Sequence, residues 1–207
     1  MDHGPATGAS FLRTGMRVEP HIRDAVERAS ALVRLFCPLE AFGRMRGLPA
    51  DEVPQPARQL LDHRGHMTVT MERFYGTEVC LRIVGHTVDQ AAGGDAAAWY
   101  AREILLESPA GRVLQHGIVR IDLGSVDART AREIRDGRRP LGRILIDAGI
   151  LRDVHSVGLL EIMPGPHLAE FFDPPAAVSG PVYGRVADIL LNGRPAVELL
   201  EIVAPTG

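Results

Sequence analysis

The sequence predicts an α+β fold in which a mostly antiparallel β-sheet is covered on one face by helices. Three observations predict it. Extended, alternating segments follow one another with turn residues between them, a single helical excursion interrupts their run, and strands do not alternate regularly with helices as a parallel α/β sheet requires. The clearest local signal closes the chain: Val182 to Leu191 and Ala196 to Val203 are joined by Asn192-Gly193, a dipeptide that favours a two-residue hairpin turn.

Residues 1 to 17 are rich in Gly, Ala, Thr and Ser without an apolar period and read as a flexible leader. Residues 18–56 read as an N-terminal helical extension and 57–207 as the main domain. Within the extension, Ile22, Ala25, Val26, Ala29, Leu32, Val33 and Phe36 recur at helical spacing, and Pro38 ends that helix. The proline-containing stretch 48–56 leads to a short helical turn over 57–63. Met67 to Phe74 alternates apolar with polar and, with 78–86 beyond Tyr75-Gly76, predicts a β-hairpin. After a loop over 89–97, strands are expected over 99–106 and 112–123, separated by the turn residues Ser108-Pro109-Ala110-Gly111.

Ser125 opens a helix over 126–136, with Asp127 in its first turn and Gly137 as its stop. A second short helix over 141–148 and a strand near 157–162 follow. Residues 163–181 carry five prolines and read as a long irregular loop.

Composition excludes several classes. Apolar residues make up 45% and charged residues 24%, an ordinary globular balance. The net charge of −3 comes from 26 acidic and 23 basic residues, mixed along the chain, and every basic residue is arginine. That is no electrostatic footprint for nucleic acid. No apolar stretch approaches a membrane span and the N-terminus lacks the regions of a signal peptide, so a cytoplasmic protein is expected. Cys37 and Cys80 sit among apolar residues and read as small hydrophobes rather than a disulfide framework.

His63 and His66 have a spacing that suits two metal ligands, but a third is missing nearby, so no metal is expected. A Gly-x-Ser-x-Gly elbow and phosphate-binding glycine loops are absent from the sequence. Arg102 is more informative: in strand register it shares an apolar face with Tyr100, Ile104 and Leu106. A buried arginine calls for an anion, either a ligand or a carboxylate of the protein itself. Glu201, within Leu199-Leu200-Glu201-Ile202-Val203, poses the matching question. A carboxyl among apolar neighbours can serve as an acid, and the two residues could also simply pair with each other.

Four blocks of sequence resemble the chorismate lyase family. They are Leu60-Leu61 with His66-Met67-Thr68 and Glu72; Tyr100-Ala101-Arg102-Glu103-Ile104-Leu105-Leu106; Pro140-Leu141-Gly142-Arg143-Ile144-Leu145; and Tyr183-Gly184-Arg185 leading to Gly193-Arg194-Pro195 and Glu201. Together they span about residues 58 to 205. The resemblance implies a six-stranded antiparallel sheet with a buried site closed by two helical flaps. It implies a carbon–oxygen lyase, working without a cofactor, that eliminates pyruvate from chorismate to leave 4-hydroxybenzoate. In that reading Glu201 and Arg102 are catalytic, Arg102 also binds substrate carboxylate, Met67 and Leu141 close over the ligand, and Gly117 lies beside the product. Glu198 competes with Glu201 for the catalytic role, but three residues of strand put it on the opposite face.

Two other readings stand beside the lyase. One is an enzyme on the same scaffold acting on a different small anion by elimination or cyclisation. The other is a non-catalytic ligand-sensing domain, against which stands the lack of a basic recognition helix in residues 1 to 56. A small anionic ligand is the expected partner in every case.

Overall fold

A computed structural model describes residues 20–89, 99–172 and 180–205. The leader at 1–17 and nearly all of the loop expected at 89–97 lie outside these residues. The closing hairpin forms as its turn chemistry requires. Strands β6 (Val182–Leu191) and β7 (Arg194–Val203) meet at Asn192 and Gly193, whose φ angles of 50° and 80° are the two positive values that a twist-matched hairpin turn needs. Around it are β1 (Gly43–Leu48), β2 (Cys80–Asp89), β3 (Trp99–Glu107), β4 (Val113–Asp122) and β5 (Arg152–Pro164). Among the described residues they make one seven-stranded sheet in the order β1-β5-β6-β7-β4-β3-β2, with every neighbouring pair antiparallel.

The α+β class and the antiparallel sheet are as expected, with one strand more than the six implied. The extra strand is β1, Gly-Arg-Met-Arg-Gly-Leu, which pairs with β5 at the sheet edge and turns Arg44 and Arg46 to solvent. Outward arginines on an edge strand discourage pairing with other chains. Through β1, residues 43–48 join the same sheet as the rest of the chain.

Helices cover both faces rather than one. On the first face lie α3 (Ala57–Leu61), α4 (Met67–Tyr75), α5 (Ala128–Asp136) and α6 (Leu141–Asp147), whose buried side chains share a core with Tyr100, Ile104, Leu106, Val119, Leu199 and their neighbours. On the second lie α1 (Pro20–Val33), α2 (Leu39–Phe42) and α7 (Pro166–Ala169), packed on Leu105, Ile118, Leu160, Val186, Leu200 and Ile202. Strand alternation explains the double core: β3, β4 and β7 are buried on both sides, so their sequences run almost continuously apolar. Gly158 permits the close approach of α1, because a Cβ there would stand 2.5 Å from the Cβ of Ala25.

The hairpin expected over 67–86 does not form. Met67 to Tyr75 is helix α4, which buries Met67, Thr68 and Met71 on one face and stops at Gly76 with φ 66°. Met67 and Met71 are one helical turn apart, and packing on the sheet outweighs the β preference of Thr68, Val69 and Thr70. The second half of the expected hairpin is real but belongs to β2, which pairs with β3. Asp127 is the N-cap of α5, accepting hydrogen bonds from the Arg129 and Thr130 amides, and α7 interrupts the loop expected from residue 163. Both cysteines are free; Cys37 is half-buried whereas Cys80 is exposed on the edge strand. No helix among the described residues is long and apolar enough to cross a membrane.

Candidate functional site

Between the first sheet face and the N-terminal ends of α4 and α6 lies a narrow cavity of about 60 Å³. Its floor is built by strand alternation: Ile104 and Leu106 from β3, Gln115 and Val119 from β4, Arg152 and Val154 from β5, Arg185 and Ile189 from β6, Leu199 and Glu201 from β7. Its cover is Gly65, His66, Met67 and Thr68 on one side and Pro140, Leu141, Gly142 and Leu145 on the other. The two covering helices nearly touch, since a Cβ on Gly142 would stand 3.2 Å from His66 Nδ1. Arg143 Nη2 ties them together by donating to both carboxylate oxygens of Glu72, at 2.9 and 3.2 Å.

The polar groups are set by one cross-strand row, Ile104–Gly117–Glu201–Arg185. Arg185 Nε donates to Glu201 Oε2 at 2.7 Å, and both residues are buried. Arg185 Nη1 donates to the carbonyls of His63 at 2.6 Å and Leu61 at 3.4 Å, which fixes the turn leading into α4. Gly117 stands between Ile104 and Glu201 in the row; a Cβ there would come within 3.3 Å of Ile104 Cγ1.

Arg152 is half-buried on the cavity wall, and its side chain makes no hydrogen bond or ion pair among the described residues. Burial, then the neighbouring Arg185, lower its pKa, and Glu201 partly opposes them; an arginine so perturbed still carries its charge at neutral pH. His66 is pushed down to about 4 by burial, then by Arg152 and Arg143. Burial and Arg185 lower His63 in the same way. Both imidazoles are therefore neutral at pH 7. Two guanidiniums face one carboxylate, and the cavity keeps a positive excess.

Of the residues singled out from sequence, Met67, Leu141 and Glu201 line this cavity and Gly117 lies in its floor row. Arg102 does not join them. Its cross-strand row is Val119 and Leu199, two residues along each strand from the row of Glu201. It is fully buried, Nη1 donates to the carbonyl of Ile134 near the end of α5 at 3.2 Å, and Nη2 has no partner. Arg102 and Glu201 thus do not pair, and the partner of Glu201 is Arg185. Glu198 points to the opposite face and meets Arg120 at 2.9 Å.

A wider cleft of about 420 Å³ lies beyond the Asp62–Arg64 turn. Its charged groups, Asp62 and Arg64, are exposed, so it offers no desolvated charge to a ligand. No group of three or more His, Cys, Asp or Glu side chains among the described residues is arranged to hold a metal ion.

Sequence reading assigned no role to Arg185, Gln115 or Arg152. Arg185 carries the same signal as Arg102, an arginine inside an apolar strand, and could have been found by it. Arg152 could not, because the bulge between His155 and Gly158, with Ser156 at φ 50°, hides the first half of β5 from a search for alternation.

This arrangement is an α+β fold whose antiparallel sheet carries a covered, positively biased cavity on one face. The chain is similar to the effector domain of PhnF from Mycobacterium smegmatis, with 12% identity and a TM-score of 0.51 over 68% of this chain and 88% of that one. A second structure of PhnF from the same organism matches at 13% identity and TM-score 0.51, covering 86% and 93%. A transcriptional regulator of the GntR family from Bacillus cereus follows at 13% identity and TM-score 0.43, covering 62% and 93%. No family model matches the sequence, and no curated protein matches it.

These findings overturn the lyase expectation. The two solved structures that carry the likeness are of PhnF and of its effector domain, not of a chorismate lyase. The geometry gives a physical reason as well: Glu201, expected to assist bond cleavage, is held by Arg185, and Arg102, expected to hold the substrate beside it, turns to the end of α5.

Proposed function

We propose that this chain is a non-catalytic ligand-sensing module that binds a small anion in the cavity beneath α4 and α6. The observation that carries the reading is Arg152, a half-buried guanidinium on the cavity wall without a hydrogen bond, beside an Arg185 already engaged by Glu201. Such a group is a ready hydrogen-bond donor to a carboxylate or phosphate, and the contact strengthens as the ligand displaces water. The apolar side chains of Ile104, Leu106, Leu145 and Leu199 suit a compact hydrocarbon part.

In this reading Met67 and Leu141 close over the ligand, Gly117 leaves room in the floor, and Arg102 adds positive field from beside the cavity. Glu201 orients Arg185. The present volume is far below the roughly 300 Å³ or more of ordinary ligand pockets, so the ligand enters when α4 and α6 part. The shared fold with an effector domain supports sensing over turnover.

The test is a calorimetric binding series of small carboxylates and phosphate esters against their neutral amide or alcohol analogues. The anions should bind, the neutral analogues should not, and the bound compound should be recovered unchanged. Arg152→Gln should weaken binding by about 2 kcal/mol or more. Equal binding of anions and neutral analogues, or an Arg152→Gln variant that binds like the parent, overturns the reading.

A further inference from the structure

The face of the sheet opposite the cavity holds a second buried polar cluster. Glu103 on β3 is almost wholly buried, and its Oε1 stands 2.8 Å from His116 Nε2 on β4 and 2.8 Å from His167 Nε2 on α7. Because a carboxylate oxygen can only accept, each ring presents an Nε2–H to it. His116 is completely buried, stacked on Phe171 at 5.4 Å and 25° and tilted against Phe42 at 5.7 Å. Its Nδ1 has no hydrogen-bond partner. His167 sits edge-on to Phe171 at 5.2 Å and is partly open to solvent.

We propose that Glu103, His116 and His167 form an acid-released latch that holds α2, α7 and Phe171 against the sheet. The closed arrangement accommodates a neutral His116, whose bare Nδ1 lies among aromatic carbons. A proton on that nitrogen would create a buried donor with nothing to receive it, and opening the corner would give it water. His167 is the only link of the cluster carried by α7 itself among the described residues, so loss of the shared carboxylate contact frees that helix.

The groups facing the cluster come from every element around it. Opposite Glu103 on β2 is Gly85, and opposite His116 are Leu105 on β3 and Ile202 on β7, none of which titrates. The turn after α1 contributes Cys37, whose thiol is pushed up to about 11 by burial and by the charge of Glu103, so it stays neutral. Glu40 on α2 and Glu170 after α7 are exposed. The directions of titration agree with the geometry. Burial lowers His116 despite its bond to Glu103. Burial would raise Glu103, but the hydrogen bonds from His116 and His167 outweigh it and hold the carboxyl below its usual range. Both groups thus bind a proton less readily in the closed corner than in an open one. The stability that His116 lends is present above the ordinary histidine value of about 6.5 and is lost as the pH falls below it, whereas that of Glu103 is lost only as the pH falls below the ordinary carboxylate value of about 4.5.

The test is hydrogen exchange on the whole chain, followed at the amides of Ala169, Glu170, Phe171 and Phe172, which are bonded within the α7 corner. Relative to amides of β6 and β7, and after correction for intrinsic rates, they should exchange about tenfold faster at about pH 5.5 than at about pH 7.5. An unchanged ratio overturns the latch. His116→Gln keeps an N–H for Glu103 but cannot titrate, so it should flatten the acid response; a full response in that variant means another group is the sensor and overturns the proposal. His167→Ala, a change at a partly exposed site, should speed exchange of the same amides at both pH values. If it leaves them unchanged, α7 is not held by this contact and the latch fails.

Discussion

Arg185 and Glu201 face each other across the β6–β7 register and form a buried ion pair at 2.7 Å, while Arg185 Nη1 donates to the carbonyls of His63 and Leu61. The pair ties the cavity floor to the turn that starts α4. Removing one partner strands the other charge in the interior, which typically costs about 3–5 kcal/mol. Arg185→Leu and Glu201→Leu should each destabilise the chain by that order in denaturant unfolding. The double variant should lose less than the two single changes added together, because no charge is left behind, and its remaining deficit reflects the uncapped carbonyls. Strict additivity would mean that the two side chains do not act as a pair.

The contact between Arg143 and Glu72 has a different character, since it is partly exposed and joins two covering helices rather than two core strands. Its contribution to global stability should be under about 1 kcal/mol. Its effect should instead be local: Glu72→Ala should speed hydrogen exchange in 67–75 and 141–147 together, while β4 and β7 stay protected. Ligand entry through those helices should become faster in the same variant, read as a higher association rate for an anion that binds the parent.

What the sequence made legible was local. Asn192-Gly193 fixes its hairpin through backbone chemistry at two residues, and Gly137 ends α5 with φ 66° for the same kind of reason. Where the outcome depended on distant packing, local pattern misled. Met67 to Phe74 alternates like a strand, yet its methionines one helical turn apart dock on a sheet made of residues far along the chain. β1 was hidden because its alternation runs through arginines and glycines rather than apolar residues. In the site, the burial of Arg102 and Glu201 followed from their apolar neighbours, but the partner each would meet depended on register across β3, β4, β7 and β6. Two residues of register along each strand separate an Arg102–Glu201 site from the Arg185–Glu201 pair that forms.

Gly158 tests whether α1 belongs to the folded unit. A Cβ at this position would fall 2.5 Å from the Cβ of Ala25, and both atoms sit on backbone that cannot rotate away. Gly158→Ala should therefore lift α1 from β5 and destabilise the chain by about 1–3 kcal/mol, the usual penalty for overpacking. Pairing it with Ala25→Gly should restore most of the loss, as thermal unfolding of the two variants and their combination would read. Failure of the second change to rescue the first would assign the penalty to the β5 bulge instead.

His66 supplies a proton-linked signature for occupancy of the cavity. Burial, then Arg152 and Arg143, hold it down to about 4, so it is neutral across the ordinary working range. A folded-state value depressed below the usual 6.5 or so means that the neutral ring is favoured, and that its contribution to stability fades as the pH falls from about 6.5 toward 4. An anion bound to Arg152 cancels one of the two charges that repel a proton from the ring. The His66 value should then rise on binding, so the complex takes up protons within that window and the affinity for the anion grows as the medium is acidified through it. At about pH 7.5 neither form of the ring is protonated and no uptake is expected. Calorimetric titration at about pH 5.5 in two buffers of different ionisation enthalpy measures the protons exchanged, and His66→Gln should abolish the buffer dependence while leaving the Arg152 contact in place. Persistence of the uptake in His66→Gln would assign the proton to another group, and its absence from the parent would mean that the anion does not reach the guanidinium beside this histidine.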